Sequence, residues 1–147
     1  MNRAAPATLV LAVIAACLAD TSRLDADQEA RLAAQGIVLR ADNLVFRHSQ
    51  DLGRRDARYR DRRASIVVTR QTVLIHERGY VDLLIEPASR RWLEVHRDGD
   101  RVRTNAGTGR STEVWSFVPP GDANAWTGAI RDVIRGSASV ANRAGDR

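Results

Sequence analysis

Apolar positions along the chain change period twice, from helical spacing to alternation and back again. Over residues 24–35, Leu24, Ala30, Ala33 and Ala34 make a shallow helical stripe, with Ser22 or Asp25 placed to cap its start and Gly36 placed to stop it. Alanine buries little area, so this helix is expected to pack only lightly on the rest. From Ile37 the spacing changes to that of strands. Residues 37–40 and 44–48 are β-like and flank Ala41-Asp42-Asn43, which predicts one bent strand or a small hairpin. Residues 50–63 (QDLGRRDARYRDRR) have no apolar period and are expected to form a long exposed loop. The runs ASIVVT (64–69) and TVLIHE (72–77) predict two strong strands joined by a tight turn at Arg70-Gln71. Gly79 marks the next reversal. Val81, Leu83 and Ile85 alternate with Asp82 and Glu86 to give a half-buried strand.

Pro87 and Ala88 break that strand, and WLEVHR (92–97) begins the next. Asp98-Gly99 suits a two-residue hairpin turn into a strand over 101–105, because both residues tolerate positive φ. Residues 105–111 are expected to be a glycine-containing loop, and 112–118 (TEVWSFV) the final strand. Pro119-Pro120 then forbids further ladder bonds and delivers the chain to a helix. In that helix, within residues 119–136, Asp122 is the N-cap and Gly136 the predicted end. Trp126, Ala129, Ile130, Val133 and Ile134 share one face, and Arg131, Asp132 and Arg135 face water. A stripe of that width requires a sheet to cover it.

These elements predict an α+β, mainly β domain: a strongly bent antiparallel sheet or partly open barrel of about seven strands, capped by a C-terminal amphipathic helix. The strand order from about Leu44 to Val118, the Asp98-Gly99 hairpin and the helix with Trp126 in its first turn resemble the pleckstrin-homology-like superfold. The resemblance covers about two thirds of the chain and is one of layout. It implies that the helix plugs the open end of the barrel, with Trp126 pointing inward. The expected organisation is a leader over 1–16, a tether and short helix over 17–36, the β domain with its helix over 37–136, and a flexible tail over 137–147.

The first residues change the picture from a domain to a located domain. Arg3 precedes LVLAVIAA (9–16), an uninterrupted apolar run ending at Cys17, the sole cysteine. Eight helical residues reach only ~12 Å against the ~30 Å of a bilayer core, so the run suits a signal peptide and not a membrane span. Ile14-Ala15-Ala16-Cys17 resembles the lipobox of bacterial lipoproteins. The resemblance implies export, a diacylglyceryl group on Cys17, cleavage before it, and acylation of the new N-terminus. Leu18 follows Cys17 where aspartate favours inner-membrane retention in Gram-negative lipoproteins, which points to the outer membrane, facing the periplasm.

The net charge is +5 with no lysine, a composition that reflects codon bias in a GC-rich genome before it reflects any one site. The basic balance suits anionic lipid, polysaccharide or an acidic partner. In lipid-binding members of the resembled family, the loop between the first two strands grips phosphorylated head groups. Here that loop contains Arg54, Arg55, Arg58, Tyr59, Arg60, Arg62 and Arg63, the candidate anion or partner contacts, offset by Asp51, Asp56 and Asp61. A single aromatic among six arginines is a thin stacking platform, so nucleic acid is not an expected partner.

His48, His76 and His96 lie on different predicted strands without local metal-pair spacing, and no metal or cofactor is expected. Trp92, Glu94 and His96 share one strand face opposite Leu93 and Val95. That face is expected to be the solvent side of an edge strand, and not an acid–base site. Gly107-Thr108-Gly109-Arg110 lacks the spacing, the lysine and the helix of a phosphate loop. Trp115 and Phe117 share one face of the last strand and suit a core. The sequence therefore predicts a non-catalytic envelope lipoprotein, a membrane-tethered binding or scaffolding module for an envelope protein or anionic head group. The alternative is a periplasmic inhibitor or immunity-type lipoprotein that blocks a toxin or hydrolase through residues 50–63 or 105–111.

Overall fold

The structure, a computed structural model, describes residues 23–51, 58–78, 80–86, 92–107 and 112–145. Its elements run α1 (Ala26–Ala34), β1 (Ile37–Asp51), β2 (Arg58–Thr69), β3 (Val73–Glu77), β4 (Tyr80–Ile85), β5 (Trp92–Asp98), β6 (Arg101–Gly107), β7 (Thr112–Phe117) and α2 (Ala123–Gly145). The seven strands form one antiparallel sheet in the order β4-β3-β2-β1-β7-β6-β5. β1 is the central strand, shared by the β1–β4 meander and the returning β7. The sheet curls into a half-barrel around the α2 stripe, which is the pleckstrin-homology-like α+β architecture.

Alternation decides which side chains fill the curl. Phe46, Ile66, Ile75, Leu83, Val102, Trp115 and Phe117 point inward and meet Trp126, Ile130 and Val133 of α2 in the main core. Trp126 meets Phe117 edge to face at 5.6 Å and donates its Nε1–H to the Pro120 carbonyl at 3.3 Å. The aromatic body is thus buried with its one polar atom bonded. Asp122 caps α2 as its sequence position predicts, accepting from the Asn124 N–H at 2.8 Å.

Several elements differ from expectation. α2 does not stop at Gly136 but continues to Gly145, so residues 137–145 are helical. Gly136 keeps a right-handed conformation, in contrast to Gly36, Gly99 and Gly121 with φ of 75°, 62° and 80°. Ala138, Ala141 and Ala144 follow it, and these helix formers offset its conformational cost. β1 is one bent strand, with register shifts between Ile37 and Leu39 and between Ala41 and Leu44, and Asn43 at φ 54°. The expected loop over 50–63 is largely strand, since β2 begins at Arg58 and pairs with β1 from Gln50 onward. A backbone ladder needs no apolar side chains, and the cross-strand pair Arg47–Asp61, bidentate at 2.7 and 3.1 Å, supports it. β6 likewise extends through Gly107 into the expected loop over 105–111. The β5–β6 turn is Gly99-Asp100, closed by the pair Asp98 and Arg101, one residue later than predicted.

The largest departure is α1, which docks firmly instead of lightly. Leu32, absent from the predicted stripe, is fully buried with Leu24, Val67 and Leu74 in a second core on the outer face of the sheet, flanked by Leu84. Ala30, Ala33 and Ala34 face water. Asp25 and Gln28 form a reciprocal capping box. Arg40 of β1 grips Glu29 with two bonds of 2.7 Å and reaches Asp42 at 2.8 Å, and Asp42 accepts from the Ser65 hydroxyl. β2 is consequently covered by α2 on one face and by α1 on the other, which explains the unbroken burial of residues 64–69. Leu32→Ala is expected to cost about 2–5 kcal/mol in urea unfolding, whereas Ala33→Ser stays within about 0.5 kcal/mol.

Candidate functional site

Strand pairing, not loop geometry, places the arginine run. Arg58 and Tyr59 open β2 opposite Gln50 and Ser49, and Arg60 lies opposite His48. Arg54, Arg55 and Cys17 lie outside the described residues. Because side chains alternate, Arg62 enters the curl beside Phe46 while Asp61 and Arg63 turn outward. Arg63 donates to the backbone and side-chain oxygens of Asn43, at 3.2 and 3.3 Å. Of the run, Arg60, Arg62 and Arg63 have described side chains, and these are divided between the two faces, Arg60 and Arg62 on the inner side and Arg63 on the outer.

A cleft follows from the ladder. β2 pairs with β3 only from Ser65 to Val68, so its first half leaves β3 and diverges from the β3–β4 hairpin. The resulting opening, about 530 Å³, is lined by Val45, Asp61, Arg62, Arg63, Glu77 and Arg78. Three guanidiniums and two carboxylates face each other there. Arg78, at φ 42°, sits in the turn that forms one wall.

Behind the cleft the polar wall continues into the protein. The Arg62 guanidinium lies 3.0 Å from Glu77 and 3.5 Å from Asp82, whose side chains are 9% and 6% exposed. Asp82 reaches this position through a bulge, since Ile75 pairs with Leu83 but His76 pairs with Val81. Burial and a hydrogen bond with the neighbouring Glu77 carboxyl push the Asp82 carboxyl up to about 6, against the pull of Arg62. Deeper still, His48 stacks on Trp115 with ring centroids 5.0 Å apart. Burial holds the imidazole below its ordinary value, the opposing influence coming from Glu113, so it stays neutral near pH 7. His48 Nε2, Trp115 Nε1 and Asp82 Oδ2 are buried and make no hydrogen bond with described groups.

The remaining predicted residues fall as their alternation implies. Trp115 and Phe117 are core, and Val95 points inward from the edge strand β5 while Glu94 faces solvent. His96 lies on the same outer side of the strand as Glu94. Of Gly107-Thr108-Gly109-Arg110, only Gly107 is described, and it ends β6. Among the described residues no group of histidine and carboxylate side chains is arranged to hold a metal ion. Sequence reasoning missed the Arg62–Glu77–Asp82 cluster, because its members lie on three strands and the bulge at Asp82 breaks the alternation.

No protein-family model matches the chain, and no curated protein is similar to it.

A raised carboxyl stabilises the fold at low pH and loses that contribution as pH rises through its folded value. Between pH 5 and 7.5 the native chain is expected to lose about 1–3 kcal/mol relative to Asp82→Asn, measured by urea unfolding at each pH. Parallel pH profiles for the two proteins would refute the assignment.

Proposed function

We propose that the chain is a lipid-anchored protein of the bacterial cell envelope, in which the pleckstrin-homology-like domain serves as a non-catalytic binding module. The observation that carries this reading is the apolar run ending in Ile14-Ala15-Ala16-Cys17, set directly before a domain whose open cleft is lined by arginine. Residues 18–24 carry the chain from Cys17 to the docked Leu24, the last of them. Seven residues extend at most ~25 Å, so the domain would be kept against the bilayer surface. Several acyl chains on one residue give lasting attachment, where one chain gives only marginal binding. Confinement raises the effective concentration of a membrane-associated partner, so a weak contact suffices.

The partner class is an envelope protein or an anionic head group. The cleft carries both signs of charge, Arg62, Arg63 and Arg78 against Asp61 and Glu77, and a pattern of that kind favours a protein surface with complementary charges. A periplasmic toxin or hydrolase blocked by this module is one form of the same contact. Cross-linking in intact envelopes separates the two, because an inhibitor yields one tight soluble partner and an adaptor yields a membrane component.

The anchor itself is testable without knowledge of the partner. Fatty-acid labelling of cells producing the native chain is expected to mark the protein and to shift the mass of its N-terminal peptide, and Cys17→Ser abolishes both signals. A native chain bearing an unmodified Cys17 thiol would eliminate the anchor.

A further inference from the structure

Inward positions on three strands fix what their neighbours present outward. Phe46 and His48 face the interior of the curl, so Arg47 and Ser49 face out; Trp115 and Phe117 face in, so Val114 and Ser116 face out. Val102 and Thr104 are buried, which turns Arg101 and Arg103 to the same outer side. Register then aligns them in rows. Arg47 is opposite Ser116, Ser116 is opposite Arg103, and Ser49 is opposite Val114. Together with Asp98 they line a groove of about 230 Å³ on the outer face of β1, β7 and β6. That is room for about seven waters at ~30 Å³ each, more than a bare oxyanion needs.

Two of the three guanidiniums in the groove are held by side-chain acceptors. Asp61 takes Nε and Nη2 of Arg47, and Asn105 takes Nε of Arg103 at 3.3 Å. Arg101 makes no hydrogen bond or ion pair with a described residue, and neither do the hydroxyls of Ser49 and Ser116. Three guanidiniums stand against Asp98 in the wall and Asp61 behind Arg47, leaving an excess of one positive charge. Guanidinium forks match the oxygens of phosphate in pairs, and serine hydroxyls supply further donors between them. Asp98, directly opposite Arg101 at the β5–β6 turn end of the groove, accepts from a hydroxyl or ammonium group.

We propose that this groove is a binding site for a phosphate ester of a small polar alcohol, with the phosphate held by Arg47, Arg101, Arg103, Ser49 and Ser116 and the alcohol end by Asp98. The site is separate from the arginine run and the cleft beside β3, and it does not depend on Cys17. Such a phosphate is carried by a soluble ester or by the head group of a lipid, and the two sources are distinguishable.

The test uses the purified full-length chain with Cys17→Ser, which carries no acyl chain, titrated calorimetrically with glycerol 3-phosphate, and in parallel its flotation with phosphatidylcholine vesicles with and without phosphatidylglycerol. Saturable binding that weakens with added salt is expected in at least one arm, and Arg101→Glu/Arg103→Glu reduces it by about tenfold or more. Arg131→Glu/Arg135→Glu changes the net charge equally on the exposed side of α2 and leaves binding intact. Binding of the soluble ester assigns a soluble ligand; binding confined to vesicles with phosphatidylglycerol assigns a lipid head group. If the first double variant does not fold by circular dichroism, Arg101→Gln takes its place with the same expectation. Absence of saturable binding in both arms, or equal losses in the two double variants, overturns the proposal. Failure of lipidation at Cys17 would leave the titration result unaffected, so the two claims fall separately.

Discussion

The insertion of Trp126 and its stripe into the curl of the sheet is the contact on which the rest of the molecule depends. A seven-stranded sheet bent this far cannot cover its own inner face, and the two end strands β4 and β5 do not pair. α2 supplies the missing surface. Trp126, Ile130 and Val133 are almost wholly buried against residues from both halves of the sheet. Burying side chains of this size contributes roughly 1.5–3 kcal/mol each, a large share of the 5–15 kcal/mol by which domains are stable. Only with the curl held closed do β7 and β1 stay in register, and that register builds both the His48–Trp115 stack and the outer groove.

On the other side of the sheet, α1 performs the same service for half the width. Leu32 and Leu24 cover Val67 and Leu74, and the Arg40–Glu29–Asp42–Ser65 network fixes the helix in place. Among the described residues, none covers the outer face of β1, β7 and β6 in this way. Their exposed side is filled by arginine, serine and valine, and Val45 and Val118 remain 47% and 40% exposed. Uneven coverage thus produces one packed outer half and one chemically available outer half. Charge is sorted by the same alternation, which sends Arg62 to a buried pair of carboxylates and Arg47, Arg101 and Arg103 to the surface.

The mainly β class, the terminal helix and its inward tryptophan were legible because each rests on local periodicity or on a cap, whereas Ala41-Asp42-Asn43 left a bent strand and a small hairpin equally open. Leu32 was misjudged because a helix of alanines conceals a single anchor, and only the tertiary partner Val67 shows which face is covered. Residues 58–63 read as loop because they lack apolar alternation, yet a ladder between two polar strands is held by backbone bonds and the Arg47–Asp61 pair. Gly136 read as a stop because glycine favours the left-handed cap, although the residues beyond it prefer helix. The Arg62–Glu77–Asp82 cluster could not be read from spacing, since a bulge places Asp82 out of phase with its own strand.

Urea unfolding of Trp126→Ala, followed by circular dichroism of the strands and by binding of a hydrophobic dye, tests this dependence most directly. The expected result is a loss of about 3–5 kcal/mol, with strand signal and α2 helicity lost in one transition and dye binding at lower urea than in the native chain. An unchanged midpoint, or a sheet that stays folded after the helix has melted, would contradict the claim that the helix holds the curl closed.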